Sequence, residues 1–311
     1  NATATADAGA RFTHLRLDGS GILRGNPTIV GDATIWSRYE GPGTWTNASG
    51  ATTTWYAGGL FDGAVLDNHG TVNWASWNDG NDRTIQLCGG SQLVNHATLT
   101  ITGNENHTMS DCGNAASRFT NAADGTVTAA FNGSNTRTMA IDVENLGTYK
   151  AQSGYSILTG GLRNISGATI TGGRFELGAP MYIAGTTPGQ VTTNAAAFVF
   201  QGGPFVTMSG QPILAVTLNT TTGELVYDQN ATLGSFTNRG IVTVQPNRSL
   251  TAGSYDQPEG TTTVKSASGL TVVSGSLGLS GGTLAGTGVV QAHVQGEGTL
   301  APGDAPGDAG S

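Results

Sequence analysis

The chain has 311 residues, a formal net charge of -8, 11% charged residues and 49 glycines. That acidity, with Lys150 and Lys265 as the sole lysines, excludes a phosphate-binding nucleic-acid surface and an anionic-membrane surface. No apolar run is long enough to span a membrane as a helix, and the Gly, Asn and Thr-rich composition points to short strands and turns.

The opening Asn1-Ala2-Thr3-Ala4-Thr5-Ala6 reads as a spacer, and residues 1–33 as an N-terminal spacer and cap region. From residue 34 a phrase repeats. An apolar residue stands two before an Asn, and a short Thr/Val-rich strand follows. The pairs are Trp45 and Asn47, Leu66 and Asn68, Leu93 and Asn95, Phe119 and Asn121, Val143 and Asn145, Leu162 and Asn164, and Phe236 and Asn238. Asn194 and Asn219 fit the phrase more loosely. Successive asparagines lie 19 to 30 residues apart, about 24 on average. That interval matches one turn of a β-solenoid and is too short for a helix pair or a propeller blade. The predicted fold is all-β, a single-stranded right-handed parallel β-helix (β-solenoid) of about 13 turns of roughly 24 residues. The turns occupy 34–300, a Pro/Gly/Asp-rich tail follows over 301–311, and residues 1–311 make one domain.

Within each strand the period is two, so Leu99, Ile101, Val242 and Val244 are predicted to fill the core while the intervening threonines face water. The evenly spaced apolar residues supply a core that a disordered chain of this composition would lack. Asn and Gly tolerate positive φ, which would let the chain turn between sheets, and stacked Asn side chains can form an amide ladder. Asn121 and Asn164 carry a two-residue insertion before the next strand, Ala-Asp in the first case and Ser-Gly in the second.

Cys88 and Cys112 are the two cysteines, 24 residues apart, which is one predicted turn. Stacked turns place equivalent Cα atoms about 4.8 Å apart, within the range of a disulfide. Such a bridge is worth roughly 3 kcal/mol and implies an oxidising, exported setting. No CxxC or Cys/His spacing supports a zinc site instead.

All five tryptophans, Trp36, Trp45, Trp55, Trp74 and Trp77, fall in the first quarter of the chain. Trp36, Tyr39, Trp74 and Trp77, with Asp79 and Arg83, form a candidate glycan-binding set, since flat rings flanked by polar groups suit sugars. The competing role is to cap and fill the open end of the solenoid. Asn78-Asp79-Gly80-Asn81-Asp82 offers alternating oxygens to Ca²⁺ but lacks EF-hand spacing and reads first as a turn. His69 and His96 each follow a repeat Asn and are expected to stack. With no third ligand in view they read as exposed turn residues, and neither a metal site nor a cofactor is assigned.

For a polysaccharide lyase the basic candidates are Lys150 and Arg163, whose 13-residue separation puts them on different faces. For a glycosidase the nearest carboxylates are Asp62, Asp67, Asp79 and Asp82. No nucleophile elbow, phosphate loop or HExxH sequence occurs, so no catalytic residue is assigned. Thr98-Leu99-Thr100, Thr126-Val127-Thr128 and Thr169-Ile170-Thr171 suggest an ice-binding face, but Tyr149 and Lys150 interrupt the series.

The segment Gly282-Thr283-Leu284-Ala285-Gly286-Thr287-Gly288-Val289-Val290, followed by Gly298-Thr299-Leu300-Ala301-Pro302-Gly303-Asp304-Ala305-Pro306-Gly307, resembles the GGTLxGTGxV…GTLxPGxxPG ending of autotransporter-type passenger repeats. Gly253-Ser254-Tyr255-Asp256-Gln257-Pro258-Glu259-Gly260-Thr261-Thr262-Thr263-Val264 is similar to the GxYxQxxGTTTV element of the same families. The resemblance covers most of residues 34 to 307. It implies a secreted bacterial β-helix of the surface-stalk or adhesin class and names no ligand. The sequence shows no membrane-barrel segment, so the likeness is to the passenger region alone. With no signal peptide at Asn1, export implies a mature form or an excised piece.

The expected role is therefore a non-catalytic extracellular or cell-surface stalk making multivalent contacts. The alternative is a glycan-binding or polysaccharide-degrading β-helix. Expected partners are cell-surface or environmental glycans and neighbouring domains of a larger surface protein, with no nucleic acid and no direct membrane insertion.

Overall fold

A computed structural model describes residues 3–7, 9–18, 21–56, 59–75, 83–113, 116–131 and 133–303. The fold is all-β, with parallel strands stacked as a β-solenoid of about 12 turns at a spacing of about 22 residues. The described residues contain no helix, and hence none long and apolar enough to cross a membrane. Contacts divide the chain into two compact units, Asn1–Arg163 with Ala179–Gly185, and Asn164–Gly178 with Thr186–Ser311.

In the first unit the parallel ladder already includes Thr3–Ala6, paired with Ile22–Gly25, so stacked strands run through the region expected as spacer and cap. The repeat phrase then sets the register residue by residue. Trp45 lies opposite Leu66, Leu66 opposite Leu93, Leu93 opposite Phe119 and Phe119 opposite Val143. All five side chains are buried. A second inward column runs Val72, Leu99, Val127, Tyr149. Leu99 and Ile101 are fully buried as the period of two requires, and Thr98 and Thr100 face outward. Each apolar side chain so buried contributes about 1.5–3 kcal/mol, which makes these columns the main source of stability.

The second unit repeats the scheme. Phe198, Leu225, Val242, Thr262 and Leu284 stack in register, and Val242 and Val244 are fully buried. Aromatic stacking adds to the core, with Phe175 on Phe198 at 5.2 Å and Phe200 on Tyr227 at 5.3 Å. One departure from parallel pairing is the short hairpin of Ile165–Ser166 against Thr169–Leu177.

The asparagines turn inward and form the predicted ladder. Thr53 Oγ1 donates to Asn47 Oδ1, and Nδ2 of Asn47, Asn68, Asn95 and Asn121 donates in turn to Oδ1 of Asn68, Asn95, Asn121 and Asn145, at 2.6–2.8 Å. In the second unit Asn194 donates to Asn219 and Asn219 to Asn238, at 2.8 and 2.9 Å. The looser matches Asn194 and Asn219 are thus full members. Asn164 directs its Nδ2 to the carbonyls of Thr171 and Gly172.

The reason for the adjacent glycine differs from the sequence-based expectation. None of the repeat asparagines has positive φ; among the described non-glycine residues that conformation occurs at Cys112, Asn247 and Ala267. Gly70, Gly147 and Gly240 are not left-handed either. A Cβ at Gly147 would lie 2.2 Å from the carbonyl oxygens of Ala122 and Gly125, and one at Gly240 would lie 2.2 Å from those of Gly223 and Thr220. Glycine is required because the preceding turn passes too close for any side chain.

Candidate functional site

The candidate glycan-binding residues do not gather on one face. Tyr39 is 1% exposed, packs edge-on against Trp45, and donates its hydroxyl to the Gly25 carbonyl. Burial raises its phenol pKa. Trp74, also 1% exposed, lies under Trp55 in the strand ladder and against the ring of His107. Both are core residues and are withdrawn from the sugar-binding set: each falls on the inward beat of its strand. Trp77 and Asp79 lie outside the described residues. Arg83 opens the strand Arg83–Cys88, its backbone opposite His107.

Among the described side chains of the set, Trp36 is the member left at the surface. Ile35, Ser37 and Tyr39 point inward, so Trp36, Arg38 and Glu40 take the outward positions. The Trp36 ring stacks on Tyr56, centroids 5.0 Å apart. Beside it, Arg24 Nη2 bonds Glu40 Oε2 at 2.7 Å and Arg38 Nε pairs with Glu40 Oε1. The Arg24 hydrogen bond leads the causes that hold the Glu40 carboxyl below its ordinary range. Arg24, Arg38, Glu40 and Asp62 line a shallow open cleft.

Cys88 and Cys112 form a disulfide with Cα atoms 5.2 Å apart. The register explains it: Gln86 lies opposite Ser110, and two residues further along each chain the cysteines meet.

A second cluster sits at the asparagine corner of the first unit. The backbone N–H of His69 donates to the Asn47 carbonyl and that of His96 to the Asn68 carbonyl, both at 2.8 Å. These bonds place the two imidazoles one above the other, centroids 4.7 Å apart and 5° from parallel. The expected stacking is present, and two carboxylates that the sequence does not place beside the histidines join it: Asp67, which the sequence offers only as a glycosidase candidate, and Asp124. Asp67, on the outward beat before Asn68, brings Oδ2 to 3.0 Å from His69 Nε2 and Oδ1 to 3.8 Å from His96 Nε2. Asp124 brings Oδ1 to 3.0 Å from His96 Nδ1, and that bond leads the causes lowering its carboxyl pKa. Asp124 belongs to the two-residue turn insertion after Asn121. The signal in the sequence was an acidic residue inside that insertion, next in the stack to His96.

Of the two basic lyase candidates, Arg163 makes an ordinary surface ion pair. Arg163 Nη1 bonds Asp142 Oδ2 at 2.7 Å, both partly exposed. The Asn78 to Asp82 turn, with its Ca²⁺ candidate oxygens, lies outside the described residues. In comparisons with known proteins, no family model, no curated protein and no solved structure matches this chain.

Proposed function

We propose that this chain is a secreted, non-catalytic β-solenoid that serves as an adhesin-like surface stalk, comparable in role to the autotransporter-type passengers its C-terminal motifs resemble. The observation that carries the reading is the continuous buried amide ladder from Asn47 to Asn145. It locks successive turns in one register, so outward side chains recur at the inter-strand spacing of about 4.8 Å. A fixed array lets weak contacts add along the surface. The disulfide, in a chain with no free cysteine, supports an oxidising setting.

The test is attachment. Beads coated densely with the chain should hold to a target cell or glycan surface under flow, while sparse beads detach. Equal detachment at both densities on every surface tried sinks the stalk reading.

The second reading, glycan contact at the N-terminal end, is favoured by the outward Trp36–Tyr56 stack beside Arg24, Arg38 and Glu40. It predicts glycan-array signals that disappear in Trp36→Ala. Release of soluble products from acidic polysaccharides would replace both readings with an enzymatic one.

A further inference from the structure

We propose that Asp67, His69 and His96 form a binding site for a divalent transition cation of the zinc class, with Asp124 as the positioning residue behind His96. Among the described residues this is the one group of His, Cys, Asp or Glu whose ligand atoms lie mutually close, all within 4.8 Å of one another. Two imidazole nitrogens and a carboxylate are a zinc-type donor set, three protein ligands with a position left for water. Calcium and magnesium prefer oxygen donors. Tetrahedral coordination at about 2.0–2.1 Å sets ligand atoms about 3.4 Å apart. The donors are partly exposed side chains and converge on that geometry through small torsional changes.

The hydrogen-bond pattern gives an independent argument. Ionised Asp124 has only acceptor oxygens, so the 3.0 Å contact requires His96 Nδ1 to carry the proton. In neutral His96 the proton-free lone pair is then on Nε2, 3.8 Å from Asp67 Oδ1. Two electron-rich atoms face each other across a gap suited to a cation. A carboxylate behind the remote nitrogen of a histidine ligand is the usual second support of a metal site, where it fixes the tautomer and the ring orientation. Asp67 Oδ2 and His69 Nε2 stand ready on the same side, 3.0 Å apart; for Nε2 to coordinate the cation, neutral His69 holds its single proton on Nδ1, and any further proton at the site is released to solvent. Because the donors come from successive turns, the bound ion would clip those turns together on the outside, opposite in character to the buried amide ladder within.

The test is calorimetric titration of the full chain, free of any histidine tag, with ZnCl₂ and separately with CaCl₂. One zinc site per chain is expected, with calcium much weaker. His69→Ala and His96→Ala should each weaken zinc by at least tenfold, and Asp124→Asn by about 10–100-fold, with thermal midpoints in EDTA close to the parent. Asp228→Asn, at an ion pair elsewhere, should change nothing. On the unaltered chain, zinc should shift the ring resonances of two of the five histidines, and those two should be absent from the His69→Ala and His96→Ala spectra. Absent zinc binding, binding indifferent to His96→Ala, calcium preferred over zinc, or zinc shifts confined to His14, His107 or His293 would overturn the site.

Discussion

Asn68 donates from Nδ2 to Oδ1 of Asn95 at 2.6 Å, with both side chains buried. An amide is donor and acceptor at once, so each rung passes the pattern to the next. Asn95 also donates to Asn121 Oδ1 at 2.7 Å and to the Ala97 carbonyl at 3.1 Å. Asn95→Ala therefore strands groups on two neighbouring turns and opens a cavity. A buried group left unpaired costs about 1–3 kcal/mol, so the loss should be about 2–5 kcal/mol. His96→Ala, one residue along but partly exposed, should cost less than about 1 kcal/mol in EDTA. Urea unfolding of the two variants side by side measures the difference, and equal midpoints would deny the ladder its role.

Close approach of the preceding turn separates two otherwise similar glycine substitutions. In Gly240→Ala the new methyl meets two carbonyl oxygens at 2.2 Å, so the turns must part, at about 1–3 kcal/mol. In Gly234→Ala nothing lies within 4 Å and φ is not positive. There the smaller entropy of the unfolded chain should stabilise the fold by about 0.4–1 kcal/mol. Thermal melting should show shifts of opposite sign. A melting point unchanged in Gly240→Ala would mean that the corner has slack the geometry does not show.

The fold was legible because its rule is local and repeated. Val242 and Val244 alternate with Ile241 and Thr243, and the period of two assigns their faces directly. Cys88 and Cys112 are one turn apart, so the solenoid hypothesis pairs them without further information. For Tyr39 and Trp74 the sequence leaves sugar contact and core filling both open, because aromatic composition says nothing of which beat of a strand a ring occupies; the phase comes from neighbours such as Trp45 and Trp55. The His69–His96 corner was half legible. Stacking of like positions follows from the repeat, but Asp124 enters through an insertion that breaks the count. Asp67 enters from the opposite side of Asn68, where the phrase puts no constraint on residue type.

The disulfide gives a local stability test. Linking residues 24 apart removes unfolded-state entropy worth about 3 kcal/mol. Cys88→Ser with Cys112→Ser should lower stability by that amount, and hydrogen exchange should quicken most in Arg83–Cys88 and His107–Ser110, the strands paired beside the bridge. Thr261–Val264 in the second unit serves as the internal reference. Uniform quickening in both places, or none, would contradict a bridge that acts on its own turns.

Alkaline pH should loosen the second unit through two phenols. The Tyr255 hydroxyl bonds Thr262 Oγ1 at 2.6 Å, and Thr262 in turn donates to Gln257 Oε1 at 2.6 Å and accepts from Asn238 Nδ2 at 3.1 Å. Burial pushes the pKa of Tyr255 and of Tyr227 far above the ordinary tyrosine value. A group with its pKa raised on folding contributes stability fully present below the unfolded-state pKa, near 10 for tyrosine. That contribution falls as pH rises from there toward the folded-state value. Each buried phenol should therefore cost about 1.4 kcal/mol of stability per pH unit above roughly 10. Tyr227→Phe should remove one share of this slope, whereas Tyr255→Phe removes its share and also lowers stability at neutral pH by freeing the Thr262 hydroxyl from a buried partner. Denaturant midpoints collected from pH 8 to 11 for the parent and both variants measure the slopes. A parent slope no steeper than that of the Tyr227→Phe, Tyr255→Phe double variant would show that these phenols do not govern the alkaline limit.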